Sequence, residues 1–192
     1  MVLFIMVGQG NLFAGNQFGL EDSAIKNLML MPTPRRYYLL GKNVFLGLLF
    51  LLDALVLSIL MLLYYPTVYT FFAWFSLMVT LFLLILTIGN FTSTIWPYWM
   101  PLDKPSFTLR STVILGLVNM AATILLAILF APALAAVYFP HEFGMDWLSY
   151  LMMLVAVAYG ILIHQFTLKP AVQLLESNEF LVLRRVAERE EL

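Results

Sequence analysis

The 192-residue sequence contains no cysteine. That excludes disulfides, thiolate metal sites and cysteine nucleophiles, and it leaves the redox compartment open. Charge is scarce as well, at 11% of residues, and histidine occurs only at His141 and His164. These two fall at opposite ends of one apolar run, so they cannot share a metal. There is no His-Glu-x-x-His motif, no Gly-x-Ser-x-Gly elbow and no Gly-x-x-x-x-Gly-Lys-Ser/Thr phosphate loop. The chain is therefore not expected to be an enzyme or to hydrolyse ATP by the usual phosphate-loop machinery. Neither a cofactor, a metal nor a nucleic-acid partner is expected. Residues 1–10 carry no basic stretch and no small-residue cleavage site, so they do not read as a signal peptide.

What is abundant is apolar surface: 62% of residues are hydrophobic and the mean hydropathy is +0.93. Four stretches are long enough, at roughly 20 residues each, to cross a hydrocarbon layer about 30 Å thick as helices. They cover about 43–65, 68–88, 109–139 and 147–166. The expected fold is thus all-α, a polytopic membrane helix bundle forming a single transmembrane domain over residues 1–192. Residues 1–14 read as the remnant of a preceding helix, and 168–192 as a helical tail leaving the membrane. Pro66 closes the first span after Tyr64 and Tyr65, which suit an interfacial belt. Gly89 and Asn90 mark the expected end of the second. The third is too long for a perpendicular span; either Pro132 kinks it or its outer end lies in the interface.

The few basic residues set the orientation. Lys26, Arg35, Arg36 and Lys42 precede the first span, Lys104 and Arg110 join the second to the third, and Lys169, Arg184, Arg185 and Arg189 follow the fourth. The other two connections hold no Lys or Arg. Because basic connections stay preferentially in the cytoplasm, the expected location is the cell membrane, with the basic loops and the C-terminus inside. The Asn90-Phe91-Thr92 sequon then lies where it could not be glycosylated.

In lipid, helices associate through small and weakly polar residues. Ala73, Ser76, Thr80 and Thr87 share a face of the second span. Thr112, Gly116, Asn119, Thr123, Ala127, Ala131 and Ala135 share one on the third, and Ser149, Ala156, Gly160 and His164 one on the fourth. Each stripe reads first as a helix-packing face and second as the lining of a pathway, with Asn119 and Thr123 the candidates for the second role. His164, near the basic end, reads as structural. Asp53 differs, because a carboxylate near mid-membrane costs roughly 2.5 kcal/mol unless paired, protonated or hydrated. It is expected to face protein or water, as a functional acid or as a hydrogen-bond partner of a neighbouring helix. Upstream, residues 19–31 place acids in a first turn and Leu20, Ala24, Leu28 and Met31 on one side, the pattern of a short amphipathic helix stopped by Pro32.

Three stretches carry a family resemblance: AsnGlnPheGlyLeuGluAsp from Asn16, then ProThrProArgArg from Pro32, then LeuLeuGlyLysAsn entering the first span. With GlyAsnPheThrSer from Gly89, followed by Pro97 and Pro101, they resemble the permease subunits of ABC-2-type transporters in order and in position relative to the spans. The resemblance implies a subunit, most naturally of an exporter, that pairs with a second permease copy or homologue within the bilayer. Each copy would hold one cytoplasmic ABC ATPase. It implies that Gly19, Glu21, Asp22, Pro32 and Arg35 belong to the ATPase-coupling segment, that 19–31 is a cytoplasmic coupling-type helix, and that helices upstream of this chain complete the usual set. Two other readings remain beside it: a secondary carrier using Asp53, and a non-transporting membrane scaffold.

Overall fold

The computed structural model describes residues 14, 15, 17, 18, 31–95 and 109–187, with side chains described over the first four, 31–95 and 116–180. Four helices account for almost all of them: α1 (Arg35–Tyr64), α2 (Val68–Ile95), α3 (Leu109–Glu142) and α4 (Asp146–Ala187). All four contain stretches long and apolar enough to cross a membrane. The described residues contain no strand. The expected remnant helix over 1–14 and the amphipathic helix over 19–31 lie almost wholly outside the described residues.

Local chemistry explains where the helices begin and end at one pole. Pro66 follows Tyr65, whose φ of −128° and ψ of 89° leave the helical region, as a residue before proline must. Thr67 then caps α2, its Oγ1 accepting the Thr70 backbone N–H at 3.2 Å. The α3–α4 turn closes on Gly144, the only described glycine with positive φ, at 72°. There Met145 N donates to Pro140 O at 2.7 Å and Gly144 N to His141 O at 2.9 Å, the paired bonds that glycine permits just past a helix end. Asp146 opens α4, where a carboxylate suits the positive end of the helix dipole.

At the other pole the helices run further than the apolar spans suggest. Helix α1 begins at Arg35, so Gly41, Lys42 and Asn43 lie two turns inside it rather than at its entrance. Helix α2 continues past Gly89 and Asn90 to Ile95, because Gly89 serves close packing and Asn90 is buried, and neither terminates the helix. Helix α4 continues through Pro170 to Ala187, as expected of a helical tail. Helix α3 is unbroken across Pro132 and Pro140.

Helix α2 is the centre of the bundle. Of its apolar stretch 61% is buried, against 28%, 22% and 17% for those of α1, α3 and α4. It packs most extensively on α4, then on α1 and α3. The expected stripe of Ala73, Ser76, Thr80 and Thr87 is buried, as are Ser149, Ala156 and Gly160 on α4. Gly160 sits against Thr80, and His164 Nδ1 lies 3.2 Å from Thr87 Oγ1. Ser76 and Thr80 return their hydroxyls to carbonyls of their own helix, which satisfies them without water.

The third stripe is a correction. Within this chain α3 packs through Ala122, Leu126, Ala133 and Val137, while Gly116, Thr123, Ala127 and Ala131 are exposed and Asn119 and Ala135 are half-buried. The face that packs pairs two alanines with Leu126 and Val137, Ala133 and Val137 meeting Ala73 of α2 and Ala156 of α4, and Tyr159 and Tyr69 bridge to the α3 carbonyls at Leu129 and Val137. The outer faces are largely apolar, with Phe45, Leu48 and Leu52 on α1 and Ile128 on α3 each 59–64% exposed. Such continuous apolar faces need lipid or protein around them, not water.

Candidate functional site

The polar chemistry gathers at the pole where α1 begins and α2 ends. Residues 14, 15, 17 and 18 lie at this pole, and Ala14, Gln17 and Phe18 are at most 4% exposed. What admits them is Gly89: a Cβ there would lie 2.5 Å from the Ala14 carbonyl oxygen and 2.6 Å from its carbon, closer than any side chain tolerates. Thr92 Oγ1 donates to the Gly15 carbonyl at 3.3 Å, and Gln17 Nε2 donates to Asn90 Oδ1 at 3.4 Å. Asn90, 1% exposed and inside a helix, is thus a packing amide.

Lys42 holds the same segment from α1. Its Nζ donates to the Gln17 carbonyl at 2.5 Å and lies 4.5 Å and 4.9 Å from the ring centroids of Phe18 and Tyr38. The two rings stack at 5.9 Å. A half-buried ammonium is acceptable here because a carbonyl and two aromatic faces replace its water. Phe18 and Leu39 then join Ala171 and Leu175 of α4 in a small apolar cluster separate from the main core.

Arg35 ties this cluster to the chain that precedes it. Its Nε donates to Glu179 Oε2 at 3.0 Å and its Nη2 to Glu179 Oε1, a two-point pairing between the start of α1 and the extension of α4. Its Nη1 donates to the carbonyls of Met31 at 3.3 Å and Thr33 at 3.4 Å. Pro32, between those carbonyls, is exposed. Gly19, Glu21 and Asp22 lie outside the described residues. Sequence reasoning did not single out Glu179; the available signal was its place four residues after Leu175 and eight after Ala171, on the stripe α4 buries.

Not every polar group is satisfied. Both amide atoms of Asn43, 6% exposed, and Oε1 of Gln17 make no hydrogen bond among the described residues. Such groups carry the full cost of desolvation, about 1–3 kcal/mol each. Asp53 lies about 27 Å along α1 from Arg35, counting 1.5 Å per residue. It sits half-exposed on the edge between buried Phe50, Ala54 and Leu57 and the outer apolar face, with no hydrogen bond or ion pair among the described residues. Asn119 and Thr123 are on a different helix; the Thr123 hydroxyl donates to the Asn119 carbonyl at 2.8 Å. The structure does not bring Asp53, Asn119 and Thr123 into one site.

At the opposite pole His141 Nδ1 lies 2.8 Å from Asp146 Oδ1, and the imidazole stacks on Tyr69 at 3.8 Å. Tyr69 and Ser149 also share the Val137 carbonyl. No group of three or more metal-ligating side chains occurs among the described residues. The basic pole is therefore built to hold a segment in place, and the other pole to close two hairpins. No protein-family model, no curated protein and no solved structure matches the chain.

Proposed function

We propose that the chain is a permease subunit of an ATP-driven transporter of the ABC-2 type, acting as an exporter in the cell membrane with its basic pole in the cytoplasm. It would pair with a second permease and hold a separate ABC ATPase. The observation that carries the reading is the meeting of the stretches on which the resemblance rests. GlnPhe at 17–18, LysAsn at 42–43 and GlyAsnPheThr at 89–92 are far apart in sequence and contact one another at one pole. Arg35 joins the ProThrProArgArg stretch to the same pole. A partner that displaced the segment around Gln17 and Phe18 would disturb the central helix through Gly89, Asn90 and Thr92.

The test is co-purification of the full-length protein with the phosphate-loop ATPase encoded beside it. Reversing Glu21 and Asp22 to Lys is expected to abolish co-purification while membrane insertion is retained. Undiminished co-purification would remove these residues from the contact, and a parent protein that never retains such an ATPase would end the reading.

A second reading is favoured by one observation. Asp53 has no partner among the described residues although it lies well inside an apolar helix, and such a carboxylate is a candidate ion or proton site. In a secondary carrier, Asp53→Asn would abolish gradient-driven uptake into vesicles without any ATPase present.

A further inference from the structure

The extension of α4 has no role in the reading above, yet it is bound into the basic pole. The chain near Met31 reaches the bundle by two routes. One is covalent, through Pro32 and Pro34 into α1. The other passes through Arg35, which holds the Met31 and Thr33 carbonyls with Nη1 while its Nε and Nη2 grip Glu179 on α4. The side chains of the pair are only 16% and 30% exposed, so water competes weakly for the contact. Behind Glu179, Leu175 and Ala171 are fully buried against Phe18 and Leu39. Further along, α4 has the most extensive packing of any helix on α2.

We propose that Arg35 and Glu179 form a relay that ties the 31–33 stretch directly to α4, making the α4 extension a second arm through which displacement of that stretch reaches α2. Glu179 is a positioning residue in this scheme; it sets where Arg35 can hold the two carbonyls. The relay has two separable halves. The Glu179 half requires opposite charges, and either orientation of the pair satisfies it. The carbonyl half requires a donor at position 35, which glutamate cannot supply. The direction of transmission rests on the transporter reading, but the geometry does not.

Absence of cysteine allows clean spin labelling of the full chain in lipid nanodiscs. Tyr37, Phe180 and Met31 are 65%, 74% and 51% exposed, so labels on cysteines there disturb little packing. Distances are measured by electron–electron resonance for the 37–180 and 31–180 pairs. Glu179→Arg is expected to lengthen or broaden both distributions beyond the parent widths, and Glu179→Gln to do so less. The double variant Arg35→Glu with Glu179→Arg is expected to restore the 37–180 distance and leave 31–180 displaced. Parent-like distances in Glu179→Arg would overturn the proposal, as would recovery of both pairs in the double variant. A parent protein that retains no ATPase while the distance changes occur as expected counts against the transporter reading alone, and failure of those distance changes with ATPase co-purification retained counts against the relay alone.

Discussion

The two poles of the bundle are built on different principles. At the pole of the turns, each turn closes on itself, Thr67 with Thr70, Gly144 with His141 and His141 with Asp146, and Tyr69 reaches across to Val137, Ser149 and His141. At the basic pole, Gln17 meets Asn90, Arg35 meets Glu179 and Lys42 meets Gln17, across 73, 144 and 25 residues. Local closure needs only turn chemistry and stays satisfied whatever the rest of the chain does. Long-range closure makes several helices depend on one another, and it is here that buried amides are left unpaired. The difference teaches where movement would be felt: a displacement at the basic pole perturbs α1, α2 and α4 through several polar contacts at once, whereas the two turns are coupled to each other through Tyr69.

Substitutions at the two poles should separate accordingly, with thermal unfolding of the full chain in nanodiscs as the readout. The largest effect is expected at Gly89→Leu, where the new side chain must displace residues 14–15 from α2. A loss of about 3 kcal/mol is expected from overpacking, together with exposure of Phe18. Unchanged unfolding would mean that the segment is not seated against Gly89. Lys42→Met keeps the stem but removes the ammonium from the Gln17 carbonyl and from two rings, for an expected loss of about 2 kcal/mol. A loss no larger than that of an exposed lysine would break the claim that Lys42 holds the segment.

Asn43→Leu sharpens the comparison because its sign is opposite. Removing two buried unpaired polar atoms in favour of an apolar side chain of similar size is expected to raise stability by about 1 kcal/mol. Destabilisation would show that Asn43 has a partner in the membrane-embedded protein. The smallest effect belongs to the other pole, where His141 and Asp146 side chains are 42% and 65% exposed. Asp146→Asn is expected to change stability by less than about 1 kcal/mol, as for other exposed pairs. A change rivalling that of Lys42→Met would erase the distinction between the poles.

The same contrast explains what could be read from the sequence. Spans and hairpins follow from signals that act over a few residues: Pro66, the tyrosines at 64 and 65, and continuous apolar runs. The packed stripes of α2 and α4 were legible because small residues recur at helical spacing. On α3 the same rule selected the wrong face for packing within the chain, since spacing shows which residues share a face but not which face the neighbours leave room for. Gly89 illustrates the other failure. A glycine followed by asparagine reads as a helix end, and only the approach of Ala14, 75 residues earlier in the chain, makes it a packing position. Glu179 stayed hidden for the same reason, since nothing near it in sequence points to Arg35. Asp53 was legible as an anomaly, and it remains one in the fold.

The account depends on the basic pole lying on the cytoplasmic side, where an ATPase could grip the segment that enters it. A single cysteine at Met31 or Tyr37 in the cysteine-free chain, treated with a membrane-impermeant maleimide, tests this directly. Protection in intact cells and labelling after permeabilisation is the predicted result. Labelling in intact cells would contradict the orientation and, with it, the proposed motor contact.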